Sequence, residues 1–303
     1  MRFAIATIDR YIGIFETFCE AGWSALKLFT VPIRDPEFGN QRAAIALAEH
    51  KGAAIQLSRI TPRDISDLGS AGCEVLIVAG YDWRIPTCAP FVKYAVNFHP
   101  SPLPEGRGPY PLPRAILERR PVWGMTCHRL SHAFDAGEIL ASERFAIRPD
   151  ECHESLNLRV QMAGKRLAAR VAGNFSELWH TAVPQTGGSY WPRITMRERV
   201  IDFGKPLDEL LRHVRAYGRT GSIANLNGTW LIVKRAAGWH ETHSHRPGDI
   251  VHVYGREALI AARDGYLALL ETDIAPPHVG LELAAGAPAA TTPPHSQEHA
   301  EAR

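Results

Sequence analysis

The stretch "YAVNFHPSPLPEGRGPYPLPRAIL", residues 94–117, governs how the rest of the chain is read. It opens as a strand and stops on two polar side chains, Asn97 and His99. Strand side chains alternate between faces, so these two point the same way, towards one crevice. Residues 100–111 then hold five prolines and two glycines. In "PSPLP" three of five positions lack an N–H and have a fixed φ. Such a loop loses little entropy on ordering and cannot let the strand end move. That stiffness suits a preorganised site, and it suits a purely structural turn as well. Helical spacing resumes towards the end of the stretch.

Outward from this loop the pattern alternates. Towards the N-terminus, "FAIAT" (3–7), "ALKLFTV" (25–31), "AIQL" (54–57) and "EVLIVAG" (74–80) read as strands. Between them, residues 11–22 and 41–52 carry helical spacing and end on glycine, and "TPRDISDLGS" offers a Thr cap with Pro at the first helical position. Strand–helix alternation predicts right-handed crossovers and a mainly parallel sheet. The first strand–helix turn, "TIDRYI", has no GxGxxG, which argues against a dinucleotide or P-loop cradle. Towards the C-terminus, "VWGMTCHRLS" (122–131) and "EILASERFAI" (138–147) read as a hairpin around "HAFDAG", which places Asp135 in a strand-end loop. Residues 150–180 predict one long helix with an Asp cap. After it, 206–218 reads as a helix, and short strands at 229–236, 249–255, 258–265 and 266–272 predict a small β-barrel of OB type. From 276 the chain is small, polar and Pro-rich, which predicts disorder.

Composition narrows the class. A formal charge of +2 gives no strong field for nucleic acid or anionic lipid. Five scattered cysteines with no CxxC pair predict a reducing, cytoplasmic setting and no thiolate zinc site. The N-terminal apolar run, broken by Asp9 and Arg10, is too short and too charged for a signal peptide or a membrane span. His240, His243 and His245 crowd one polar loop, but no carboxylate or cysteine stands at a usual ligand interval, so no metal site is expected.

Residues 97–117 followed by "GMTCHRLSHAFDAGEIL" (124–140) resemble the 10-formyltetrahydrofolate-dependent formyltransferases. That family includes methionyl-tRNA formyltransferase and the amino-sugar N-formyltransferases. Its signature runs Asn-x-His-x-Ser-x-Leu-Pro, a Gly-rich bend, a helix, Gly-Val-Thr and Asp-x-Gly. Asn97, His99, Ser101, Leu103, Pro104, Gly106, Gly108, Gly124, Thr126, Asp135 and Gly137 match it in order. The resemblance implies a Rossmann-like catalytic domain at 1–185, a linker at 186–203, an OB-like barrel at 204–275 and a tail at 276–303. It implies 10-formyltetrahydrofolate as donor and Asn97, His99 and Asp135 as the catalytic set. Trp83, Arg84 and Ile85 in "AGYDWRIP", with Ser101, Leu103, Pro104, Ala133, Phe134 and Gly137, are the implied donor-binding residues.

The chemistry agrees with these residue types. An amine attacking a formyl carbon leaves an oxyanion that an Asn amide can hold. A His can take the proton, and an Asp beside it favours the charged ring. The family's tRNA enzymes carry a basic loop after the second strand. The matching stretch here, "PIRDPEFGNQRAA" (32–44), has two Arg, one Asp and one Glu. Residues 191–275 hold twelve Lys/Arg against ten Asp/Glu, whereas a tRNA-binding surface shows a clearer basic excess. The expected acceptor is therefore a small amine, such as an amino sugar or a modified amino acid, with tRNA less favoured. The other readings are methionyl-tRNA formyltransferase, a formyltetrahydrofolate hydrolase in which water replaces the amine, and a folate-binding protein without turnover.

Overall fold

Residues 1–31 and 41–285 are described by the computed structural model; most of the 32–44 stretch and the tail from 286 lie outside them. Contacts divide the chain into two units. One comprises residues 1–111, 121–148 and 157–191, and the other comprises 112–120, 149–156 and 192 onward.

In the first unit the apolar runs become strands β1 (Arg2–Thr7), β2 (Ser24–Phe29), β3 (Ala54–Gln56), β4 (Val75–Ala79) and β5 (Tyr94–His99). Helices α1 (Ile12–Glu20), α2 (Arg42–His50) and α3 (Pro62–Ser70) lie between them in sequence. After α4 (Leu112–Leu117), which groups with the second unit, come β6 (Val122–Arg129), β7 (Ile139–Ala146), α5 (His153–Gly173) and α6 (Phe175–His180). The seven strands form one sheet in the order β3-β2-β1-β4-β5-β6-β7. β1 to β5 run parallel, and β6 and β7 add an antiparallel edge. The chain crosses from one side of β1 to the other between β3 and β4, which makes the β1–β4 junction the switch point of the sheet.

Both faces of β1 are covered, as a parallel sheet requires. Phe3 lies 6.0 Å from the Phe15 ring and 5.9 Å from Phe18, both on α1. On the opposite face, Ala4 and Ala6 join Ile65 and Leu68 of α3 in one apolar cluster. The Thr cap on α3 is reciprocal: Asp64 N–H donates to Thr61 Oγ1, and Thr61 N–H donates to Asp64 Oδ2. Val160, Ala163, Leu167 and Val171 of α5 are fully buried at helical spacing.

The single helix expected over 150–180 is two. It starts at His153, ends at Gly173 and restarts at Phe175, with Asn174 at φ −131° and ψ 26°. The break turns Phe175 inward, with its ring 5.4 Å from Trp23 and 5.2 Å from Tyr94. Packing of that one ring outweighs continuity of the helix.

In the second unit, α7 (Leu207–Tyr217) precedes β8 (Ser222–Leu226), β9 (Thr229–His240), β10 (Ile250–Tyr254), β11 (Glu257–Ala261), β12 (Gly265–Ile274) and α8 (Pro277–Ala284). The strands form an antiparallel sheet in the order β10-β11-β12-β9-β8. Leu207, Leu210 and Val214 of α7 share a core with Val233, Ile260, Leu267 and Leu269 of the sheet. β8 is absent from the sequence reading. Its signal is the Asn-Gly turn at 227–228, with φ 50° and 87°, which closes the β8–β9 hairpin. β9 runs past 236 to His240 because Ala236–His240 pair with Gly265–Leu269.

The expectation of disorder from 276 fails for residues 277–284. Val279, with Leu283 packed beside it, joins Ile223 and Trp230, and this apolar contact holds α8.

Phe175→Ala should lower unfolding stability by about 3–5 kcal/mol, the usual cost of emptying a buried aromatic site. A urea titration followed by near-UV circular dichroism measures it.

Candidate active site

The carboxyl end of β5 delivers Asn97 and His99, and the loop between β6 and β7 delivers Asp135. The structure brings all three together. Asn97 Nδ2 donates to Asp135 Oδ1 at 3.2 Å. His99 Nδ1 lies 3.3 Å from the same oxygen. Asp135 Oδ2 accepts the backbone N–H of Gly108 at 2.9 Å. The carboxylate thus joins the strand end, the proline loop and its own loop. Asp135 has φ 54°, a left-handed conformation that costs free energy in a residue with a side chain.

His128 on β6 is a fourth member that sequence reasoning missed. Its Nδ1 lies 2.8 Å from Arg129 O, a group that can only accept, so Nδ1 carries the proton. Nε2 stands 3.2 Å from Asn97 Nδ2 and 3.7 Å from Asp135 Oδ1. Asn97 Nδ2 thus lies against both His128 Nε2 and Asp135 Oδ1. The pairing of Asn97 with His128 across the β5–β6 ladder is the antiparallel register that places them side by side.

His99 faces acceptors at both ring nitrogens, because Nε2 lies 2.9 Å from Gly106 O. Its pKa is nevertheless lowered, first by burial and also by His128, against the opposing pull of Asp135 and Gly106. For Asp135, burial alone would raise the pKa. The imidazoles of His99 and His128 and the Gly108 N–H outweigh burial and hold the carboxyl far below the usual range. Tyr190 is raised by burial and by the charge of Asp135.

The proline loop is itself held. Leu103 N–H donates to Thr126 Oγ1 at 3.1 Å, and that hydroxyl donates to Ser101 O at 2.8 Å. This is what Thr126, in the matched Gly-x-Thr, does. Residues 188–191, within the stretch expected as a linker, are bonded to the same loop. Gly106 N–H donates to Ser189 Oγ at 2.9 Å, and Trp191 N–H donates to Arg107 O at 2.7 Å. The Trp191 ring stacks on Trp123 at 5.5 Å.

The residues read as donor-binding divide into two groups. Ser101 and Leu103 have no exposed surface and build the loop instead of lining a surface. Gly137 is also buried, and a Cβ there would stand 1.9 Å from Arg129 O, so the Asp-x-Gly glycine is required by backbone approach. Trp83, Arg84, Ile85, Pro104, Ala133 and Phe134 all keep some exposed surface. Arg84 joins its own loop to that of Ala133 and Phe134. It donates to His132 O at 3.0 Å, and its guanidinium lies 5.6 Å from the half-exposed Phe134 ring.

His240 pairs with Asp208 at 3.4 Å, and His243 donates to Gly265 O at 3.0 Å. Among the described residues no group of three or more His, Cys, Asp or Glu is arranged to hold a metal ion. None of their helices is long and apolar enough to cross a membrane.

Family models match this chain twice. Formyl transferase matches residues 37–172, and the formyl transferase C-terminal domain matches 193–276. The chain belongs to the formyl transferase family. Among curated relatives, a methionyl-tRNA formyltransferase of Burkholderia ambifaria is 29% identical over 258 residues, covering 82% of this chain and 75% of the relative. Another, from Pseudothermotoga lettingae, is 29% identical over 181 residues, and the match spans only 59% of either protein. Among solved structures, the N-formyltransferase from Helicobacter canadensis, in complex with folinic acid and dTDP-3-aminofucose, superposes with a TM-score of 0.65. It is 15% identical, and the match covers 90% of this chain and 99% of that one. At that identity the likeness is one of fold.

Because the folded pKa of Asp135 lies below its unfolded value, its stabilising contribution is complete above pH ~3.9 and is lost as the pH falls below that. Asp135→Asn should therefore destabilise the chain by about 1–3 kcal/mol at pH 7, the scale of hydrogen bonds to a charged group. The difference should shrink towards pH ~3. Thermal melts of both proteins across that range check this.

Proposed function

We propose that this chain transfers a formyl group from 10-formyltetrahydrofolate to a small amine. The carrying observation is the meeting of Asn97, His99 and Asp135 at the carboxyl end of β5. The folate supplies an activated formyl carbon. The loops joined by Arg84 offer it a partly apolar seat, with Trp83, Ile85, Pro104, Ala133 and Phe134 as contacts and Gly137 fixing the loop.

Asn97 holds the oxygen that gains charge when the amine attacks. Its Nδ2 donates to Asp135 Oδ1 beforehand, and an N–H of that amide turns to the new oxygen. His99 takes the proton that the amine releases. Burial disfavours its charged form beforehand. Asp135, 3.3 Å from Nδ1, steadies the imidazolium once it forms. The same proton is then available to the departing folate nitrogen.

The small-amine reading rests on charge. The stretch 191–275 is close to neutral. In the second unit a cleft lined by Arg197, Lys205 and Arg212 is also lined by Glu198, Asp202 and Glu209. A surface that neutralises several phosphates needs an excess of cations. The second reading, methionyl-tRNA as acceptor, draws on the 29% identity to enzymes of that name across most of the chain.

Tetrahydrofolate release, followed with a panel of amino sugars, amino acids and methionyl-tRNA, names the acceptor. His99→Ala should lower turnover by about 100-fold or more, and wild-type rates in that folded variant would contradict the assignment. With a small amine, the Michaelis constant should change little between ~50 and ~200 mM salt. Multi-phosphate binding would weaken about 10³- to 10⁵-fold over the same range, and steep salt dependence with methionyl-tRNA would establish the second reading.

A further inference from the structure

Asp135 occupies a backbone conformation that a residue with a side chain adopts only when its surroundings hold it there. Its own carboxylate contacts explain the side chain but not the peptide groups. Those are held from a distant part of the chain. Gln185 Nε2 donates to Asp135 O at 2.8 Å and to Gly137 O at 2.8 Å. One amide nitrogen thus spans both carbonyls around the Asp135 turn. Gln185 Oε1 is buried and has no hydrogen-bond partner among the described residues. The two donated bonds alone therefore set the orientation of the amide. Turning it over would press its oxygen against two carbonyl oxygens.

We propose that Gln185 is a positioning residue that fixes the Asp135 carboxylate between Asn97, His99 and the Gly108 N–H. It touches none of the reacting groups; it acts through Asp135. The role follows from geometry. Residue 137 cannot move towards β6, because Arg129 O already fills the space beside Gly137. The turn is therefore held by Arg129 beside Gly137 and by Gln185 at the Asp135 and Gly137 carbonyls. Without Gln185 the Asp135 and Gly137 carbonyls lose this donor, and the turn can relax out of its left-handed conformation. Relaxation carries the carboxylate away from His99 Nδ1.

The proposal rests on the formyl-transfer reading for its kinetic consequence only. In Gln185→Ala, kcat should fall about 10- to 100-fold, the scale of a small misplacement of a catalytic group. The Michaelis constant for the folate donor should stay within roughly twofold, since the lost interaction is not one of ground-state binding. Gln185→Glu keeps the shape but, ionised, brings oxygens and no donor, and it should do at least as badly. An NMR titration of the His99 ring in the full chain reads the same effect without activity. Displacing Asp135 removes the partner that favours imidazolium, so the His99 pKa should fall further in Gln185→Ala. A His99 titration unchanged from wild type in folded Gln185→Ala, or a kcat within about twofold of wild type, would overturn the role. If the wild-type chain transfers no formyl group, the functional reading fails while the titration still decides on Gln185.

Discussion

One carboxylate organises the site. Asp135 accepts the Asn97 amide and the Gly108 N–H and stands beside His99 and His128. Its partners arrive from β5, from the proline loop and from β6. A charge-assisted hydrogen bond is roughly twice as strong as a neutral one, and this charge is nine-tenths shielded from water. Left unpaired at that depth it would be costly, so the partners and the carboxylate hold one another in place.

The scaffold makes that concentration possible. The central strands β1 and β4 are buried on both faces, and β5 is paired on both edges, by β4 and by β6. A strand so fixed ends at one place. The proline loop continues the constraint, with Thr126 pinning Leu103 and Ser101, and Trp123 donating to Pro100 O at 2.9 Å. In the proposed reaction the moving parts are then small: one N–H of Asn97 and one proton on His99. That is preorganisation in the sense that matters for charge developing during a reaction, because little has to reorient when it appears.

Much of this was legible in the sequence. Alternation of apolar runs and helical spacing read out the parallel sheet, and the i, i+2 spacing of Asn97 and His99 put them on one face. The Asp-x-Gly pair was legible as a motif, but the reason for its glycine was not, since Arg129 O is a tertiary neighbour. His128 and Gln185 were not legible. Each acts through a hydrogen bond to a residue 31 or 50 positions away, and neither has a local pattern that separates it from an ordinary polar side chain. The helix over 150–180 was over-read because helical spacing continues through Asn174, while the contact that breaks it, Phe175 against Trp23 and Tyr94, is long-range. β8 and α8 were missed for different reasons. The Asn-Gly turn was present and unread, whereas the Pro-rich, small-residue composition after 276 hid two apolar residues one helical turn apart.

The most direct test of the account is single-turnover formyl transfer by Asp135→Asn, with 10-formyltetrahydrofolate and the best acceptor from the panel. The replacement keeps the shape and removes the charge. The account predicts a folded protein that binds a folate analogue as the wild type does and transfers the formyl group about 100-fold more slowly or worse. Transfer at the wild-type rate by that variant would show that the carboxylate is a structural tie and that the chemistry is done by other groups.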